Sequence, residues 1–413
     1  MISYKEFVDD AIRNYESLPV ESNEIYKKYA VHIPLAGTGN AAQPETNANE
    51  SEVEEFSRGI AARTRIKFDA VISGYVAKSF NPWLKISVNG KTDMKVLENK
   101  IFKSSEDKFA AFSNANSRYF ISVDAEDGAH RKLNFLFVNN GNLPVQVLIK
   151  AGSNSKLEIF ELFISDNDSD SLVSVLHEIS AGKNSDIELN VLHNENRNTN
   201  VLNLCKAVAG DGARLRANFM YSGGALVKTK GYADSNGIDS QVDISEFALG
   251  IKDQKFDLGT FIVNTKPHSI ARLESGAVLS DSSQCMLKGF AKVEKGARGC
   301  LSKITERGIL LSKDAHIDAL PDMSIDYSNE VKATHSAATA PMDREALFYL
   351  MSRGLEEKIA RKIFISAFIA KYTYNMKEGV ASAVTMSVML DKLESGSFGV
   401  MPDVSASGVW GIR

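Results

Sequence analysis

The chain has 413 residues, enough for two or three structural regions and a sizeable core. Hydrophobic residues make up 44% and charged residues 24%, as in soluble globular proteins, and a formal net charge of -4 gives no electrostatic reason to expect nucleic acid or an anionic membrane as partner. Three cysteines, Cys205, Cys285 and Cys300, are odd in number, far apart and without a C-x-x-C pair, which argues for reduced core thiols over a disulfide framework or a local zinc site.

The opening MISYKEFVDDAIRNYE lacks the charged start, apolar middle and cleavage site of a secretion signal. No later run reaches the roughly 18 apolar residues of a membrane helix, so a cytoplasmic protein is expected. Phe7, Ala11, Ile12, Tyr15 and Leu18 recur at three- and four-residue spacing and predict an amphipathic helix. A second short helix is expected around Ser22 to Ala30. From Gly37 to about Arg58 large apolar residues are few, which predicts a linker. Gly37-Thr-Gly39-Asn-Ala-Ala42 matches G-x-G-x-x-A, but Gln43 and Pro44 follow where a helix must begin, so no dinucleotide site is expected there.

From about Thr64 to Met323 the chain runs in short apolar or alternating stretches, among them FDAVISGYVA, RYFISVDA, KLNFLFVNN and VQVLIKA, separated by Gly, Asn, Asp and Ser. These predict short strands with tight connections. A weak repeat runs through them: Ala151-Gly-Ser-Asn-Ser-Lys-Leu157 recurs as Ala181-Gly-Lys-Asn-Ser-Asp-Ile187 and Ala209-Gly-Asp-Gly-Ala-Arg-Leu215, at intervals of 30 and 28 residues. Looser echoes at Ser275-Gly-Ala, Lys295-Gly-Ala297 and Lys313-Asp-Ala315 are spaced by 20 and 18, each expected to be a turn opening a strand. A coil that repeats turn and strand cannot bury its apolar face alone, whereas stacked coils bury a continuous core, so a parallel β-solenoid is favoured over a sandwich.

After Thr339 the pattern becomes helical. Pro341 and Asp343 signal a start, Leu347, Phe348, Leu350 and Met351 form an apolar stripe, and Gly354 is placed as a C-terminal cap. A second helix carries Glu356 and Glu357 at its start and Ile359, Ile363, Phe364, Ala367 and Phe368 on one face. A third is expected around Glu378 to Lys392, with an irregular tail after it tethered by Trp410. The organisation expected is a helical region and linker at 1–63, a β-solenoid at 64–340 and a helical region at 341–413.

At the junction of strand and helix the run LLSKDAHIDALPDMSIDYSNEVKATHSAATAPMDREALFYLMSRGLEEKIARKIFISAF, beginning at Leu310, resembles the C-terminal core of the SufB/SufD family of iron-sulfur cluster assembly proteins. The residues that carry the likeness are Leu310 to Ser312, Pro321, Val331, Thr334-His335, Ala338-Thr339, Asp343, Leu347 to Leu350 and Ser352-Arg353-Gly354. The resemblance implies a mainly β chain: a right-handed parallel β-helix flanked by helical regions at both ends. It further implies a dimer formed through the β-helix with a SufB-like subunit or a second copy of itself. It implies a SufC-type ABC ATPase docked on the C-terminal helices, and a non-catalytic scaffold role in the SUF machinery. The chain has no G-x-x-x-x-G-K-[ST] phosphate loop of its own. His335 is followed by Ser336 and no cysteine falls between Leu310 and Pro321, which makes the chain more similar to SufD than to SufB.

His335 is thus the candidate cluster or interface ligand: imidazole suits iron, and one neutral nitrogen can complete a site dominated by a partner's sulfur, so any iron-sulfur cluster would be shared. The competing reading is a strand histidine that bonds a neighbouring backbone group. His268 and His316 are expected to be structural. Arg344, Phe348, Tyr349 and Arg353 are the candidate ATPase dock, with Arg353 alternatively a helix cap. The alternative function, a polysaccharide-active β-helix enzyme, has its nearest carboxylates in Asp239 and Asp243, expected on one face of a strand, with no basic residue between Asp239 and Glu246. A left-handed β-helix acyltransferase would need a sustained hexapeptide repeat, which is not found.

Overall fold

In a computed structural model the described residues are 4–19, 50–73, 77–81, 84–88, 100–326, 330–374, 376 and 379–403. The expected helix at Ser22 to Ala30, the Gly37 to Ala42 motif and the Trp410 tether lie outside them. Chain order begins with helices α1 (Tyr4–Ser17) and α2 (Glu50–Thr64), then strands β1 (Ala70–Ser73), β2 (Ala77–Ser79) and β3 (Leu84–Val88), then helix α3 (Lys108–Asn116). There follow β4 (Tyr119–Ala125), β5 (His130–Asn139), β6 (Leu143–Ala151), β7 (Lys156–Ser165), β8 (Ser171–Ala181), β9 (Asp186–Asn194), β10 (Thr199–Ala209) and β11 (Arg214–Tyr221). The stack continues with β12 (Leu226–Ser235), β13 (Gln241–Gly250), β14 (Lys255–Asn264), β15 (Ile270–Leu279), β16 (Gln284–Val293), β17 (Leu301–Leu310), β18 (His316–Ala319), β19 (Asp322–Ile325) and β20 (Lys332–Pro341). Helices α4 (Arg344–Ser352), α5 (Glu357–Thr373) and α6 (Gly379–Ser395) end the described chain.

The strands alternate between two ten-stranded sheets, one ordered β2-β1-β5-β7-β9-β11-β13-β15-β17-β20 and the other β18-β16-β14-β12-β10-β8-β6-β4-β3, with β19 beside β18 on β16. From β4 onward every pairing is parallel, which is the expected parallel β-solenoid. One-coil register steps stack like on like inside. Phe137 lies on Phe163 with ring centroids 4.2 Å apart, Phe163 on His193 at 4.4 Å, and His193 on Tyr221 at 5.4 Å. The repeat seen in the sequence is one of the two turn series. Asn154, Asn184, Gly212, Asp239, His268 and Gly299 all hold positive φ in successive turns, a conformation Asn and Gly tolerate best.

The looser echoes need correction. Ser275 and Gly276 lie within β15, so that echo is no turn, and Lys295 and Lys313 belong to turns of opposite sense, from one sheet to the other and back. Gly276 is small for another reason: a Cβ there would stand 2.2 Å from the Tyr372 Oη of α5, which docks against the sheet at this notch. The expected linker is helical over its last part, because Phe56, Ile60 and Ala61 of α2 pack into the cluster under the C-terminal helices despite the acidic text around them. Helix α3 was also not foreseen. Asp107 caps it, accepting from Phe109 N (2.7 Å) and Ala110 N (3.2 Å), and Phe109 and Phe112 pack with Leu176, Leu202 and Leu204 of the second sheet. No described helix is long and apolar enough to cross a membrane.

Candidate functional site: the open end of the solenoid and its helices

The two ends of the stack are built differently. At the first, β2 pairs antiparallel with β1 and β3 antiparallel with β4, so each sheet closes on a reversed strand. At the other, β20 bonds β17 along one edge and ends the sheet order. Its ten residues are KATHSAATAP, nine of them exposed and the other half-buried, with short side chains that leave the backbone edge accessible.

His335 sits in that strand, opposite Ile304. Followed back through the register, its column reads Ile304, Leu273, Ile244, Ala217, Leu189, Ile159 and Leu133, all core residues. The imidazole therefore occupies the core-facing position of the last rung, where there is no further coil to bury it, and it is exposed. It has no hydrogen-bond partner among the described residues, which leaves both ring nitrogens for a ligand or a partner chain. No group of three or more His, Cys, Asp or Glu side chains suited to a metal gathers among the described residues. All three thiols are buried, and burial pushes those of Cys205 and Cys285 upward, away from the thiolate that metal ligation needs. The site offers iron one nitrogen and no sulfur.

His316 is exposed in β18 with Nε2 3.1 Å from Asp318 Oδ1, and His268 sits in a left-handed turn. The two carboxylates of the enzyme reading do not share a strand face: Asp239 lies in a positive-φ turn before β13, and Asp243 in β13 is held by Arg272 at 3.0 Å.

Only Met342 and Asp343 separate β20 from α4. Asp343 caps the helix, accepting from Glu345 N (2.9 Å) and Ala346 N (3.2 Å), and Gly354 follows it at φ +90°. Leu347 is buried, whereas Phe348 is 72% and Tyr349 57% exposed. Arg353 brackets Tyr349, its Nη2 donating to the phenol oxygen at 3.1 Å and its guanidinium lying 5.2 Å from the ring centroid. Its backbone also caps α4, its N–H donating to Leu350 O and Met351 O. Arg344 is exposed one turn before Phe348. Helix α5 divides the residues expected on one face: Ile359 and Ile363 face out, while Phe364 and Phe368 are half-buried against the core. Met351, Phe348, Ile359 and Ile363 are thus exposed large hydrophobics of α4 and α5.

Groups inside the solenoid escaped the sequence reading. His177 Nε2 lies 2.8 Å from Glu161 Oε2, both fully buried. Glu246 accepts from Thr229 Oγ1 at 3.0 Å, and Glu306 accepts from Gly289 N at 2.7 Å one rung inside β20. Burial pushes Glu246 up to about 7 and Glu306 up to about 8, against the hydrogen bonds that hold them down. Their signal was hidden because outward-facing neighbours such as Phe247 are covered by α5, so both faces of these strands are buried and alternation loses its meaning.

A parallel β-solenoid with one closed end, one open strand edge and a helical unit joined directly to that edge defines the class of protein. The family profile described as SUF system FeS cluster assembly, SufBD core domain, matches residues 137–368, and the chain belongs to the SufB/SufD family, where it is SufD-like. It is 25% identical over 220 residues to the iron-sulfur cluster assembly protein SufD of Escherichia coli, covering 53% of this chain and 52% of that one. It is 26% identical over 279 residues to the protein of the same name from Bacillus subtilis, covering 65% and 63%. The matched stretches therefore span between half and two thirds of these relatives' lengths.

Proposed function

We propose that this chain is a non-catalytic scaffold subunit of the SUF iron-sulfur assembly machinery. The function named for its relatives is carried here by one observation, the unpaired β20 edge running through two residues into the exposed face of α4. The open edge pairs with a partner's β-helix, and main-chain hydrogen bonds across it supply the adhesion. His335 contributes one ligand to a cluster that is cargo of the pair and never held by this chain alone. Because the thiols of this chain are buried, the partner has to bring the sulfur ligands, which favours a SufB-like subunit over a second identical copy. Arg344, Phe348, Tyr349 and Arg353 dock a SufC-type ABC ATPase, with Ile359 and Ile363 extending the patch. The three regions 1–63, 64–340 and 341–413 then divide into support, subunit pairing and ATPase coupling, in a cytoplasmic setting.

The test is capture of a purified SufC-type ATPase by the full chain. The double variant Phe348→Asp, Tyr349→Asp should fold normally, since both side chains are exposed, and weaken capture more than about a hundredfold, as expected for two central anchors. Undiminished capture would sink the docking assignment. In anaerobic reconstitution with iron, sulfide and a SufB-like subunit, His335→Ala should change the charge-transfer absorption of the complex. An identical spectrum would reduce His335 to a structural residue.

A further inference from the structure

On the outer face of the first sheet, ending one rung inside the open-edge strand β20, β13, β15 and β17 carry Asp243, Arg272 and Lys303 in one register column and Ser245, Glu274 and Thr305 in the next but one position. These residues, with Arg216 from β11, line a trough of about 340 Å³.

Its charged groups are unevenly matched. Arg272 Nη1 holds Asp243 Oδ1 at 3.0 Å, Arg216 is shared between Asp186 Oδ1 at 2.6 Å and Glu188 Oε2 at 3.5 Å, and Glu274 is paired with Lys371 of α5. Lys303 has no ion pair or hydrogen bond among the described residues, so one cation is left over. Donors are left over as well. Ser245 is only 2% exposed and its Oγ has no hydrogen-bond partner, which is costly for a buried hydroxyl unless something else fills the site. Thr305 adds a second hydroxyl on the same strand as Lys303, and the remaining N–H groups of Arg272 a third donor. The lining carboxylates Asp243 and Glu274, and Asp186 and Glu188 behind Arg216, are each engaged by a cation, so the capacity left in the trough is that of Lys303, the hydroxyls and the free N–H groups of Arg272.

We propose that this trough is a binding site for a small multivalent oxyanion, held by Lys303, Arg272, Ser245 and Thr305. Neighbouring strands lie about 4.8 Å apart, so the three rungs from β13 to β17 span roughly 10 Å. That length suits a phosphate monoester or a polycarboxylate, whose several oxygens can meet donors on different rungs, better than a monatomic anion. The trough borders β20 through β17 and touches α5 through Glu274 and Lys371, but its lining residues are not those of the partner surfaces described above, and its test uses the chain alone.

The experiment is calorimetric titration of the purified full chain, at constant ionic strength in chloride buffer, with inorganic phosphate and separately with citrate. Saturable binding of at least one probe is expected, phosphate alone pointing to a phosphate monoester and citrate to a polycarboxylate. Lys303→Gln should weaken it at least about tenfold and Ser245→Ala several-fold, while Lys295→Gln, an exposed turn lysine elsewhere, leaves it unchanged. Ser245→Ala removes a hydroxyl that bonds nothing, so its unfolding midpoint without ligand should match the parent and keep the result readable if Lys303→Gln folds poorly. Absence of saturation by either probe up to about 10 mM would overturn the proposal. Equal weakening by Lys295→Gln and Lys303→Gln would also overturn it, because it would mean diffuse charge attraction.

Discussion

The closed and open ends of the solenoid are made of the same coil, yet they treat their last strands in opposite ways. At the closed end each sheet finishes on a short strand, β2 or β3, that runs antiparallel to its neighbour and so breaks the parallel stack, and stacked rings such as Phe137 on Phe163 fill the interior. At the open end, β20 keeps its edge unpaired and substitutes an exposed imidazole for the apolar residue that every earlier rung holds at that position. A solenoid is a sum of nearest-neighbour interfaces, so a missing neighbour costs burial at one rung only. The difference teaches that stability resides in the stacked coils and that the exposed edge is available for association.

Substitutions chosen at the two ends break or sharpen this contrast. The largest effect should come from Phe163→Ala, which removes an inner ring of the four-ring stack and lowers unfolding free energy by about 3–5 kcal/mol in chemical denaturation. Next is Gly276→Val, whose added atoms meet the Tyr372 hydroxyl. A loss of about 1–3 kcal/mol is expected, with faster hydrogen exchange in α5 reporting that the helix has lifted.

A third test concerns pH. Glu246 and Glu306 stay protonated in the folded chain up to about 7 and about 8 but ionise in the ordinary carboxylate range when unfolded. Over that window the folded state binds more protons, so stability falls as pH rises, by about 1 kcal/mol per pH unit for each group within its window. Thermal midpoints measured from pH 5 to 9 should decline, and Glu306→Gln should flatten the upper part of the curve. The smallest effect belongs to His335→Ala, within about 0.5 kcal/mol of the parent in the same denaturation assay, because the side chain is exposed. A large loss there would mean that the open end is structurally closed after all.

Much of the coil was legible in the sequence because its turns demand particular residues. Asn154 and Asn184 mark left-handed positions 30 residues apart, and the Ala-Gly before each marks the bend. The α4 boundaries were legible for the same reason, since Asp343 and Gly354 act through local backbone geometry. Exposure was not legible. Phe348 reads both as part of an apolar stripe and as a docking residue and Ile359 as one of an apolar face, and only the docking of α5 on the sheet decides which face is left to solvent. The contact between Glu161 and His177 joins residues on opposite sheets, and no local period announces such a pair. His335 carries no periodic signal of its own and was singled out only through the family likeness.

Lys392 deserves a mechanical reading. Fully buried at the far side of α6, it donates to Ser222 O, to Leu249 O at 2.5 Å and to Gln254 Oε1 at 2.7 Å, and burial holds it well below the usual lysine range. These acceptors belong to the middle of the stack, so the helical unit is riveted there, far from the open strand. At its other extremity the same unit is tied to β20 by Met342 and Asp343, and two extended residues reach only about 7 Å. A displacement of α4 beyond that slack has to be taken up by the edge strand or by the rivet.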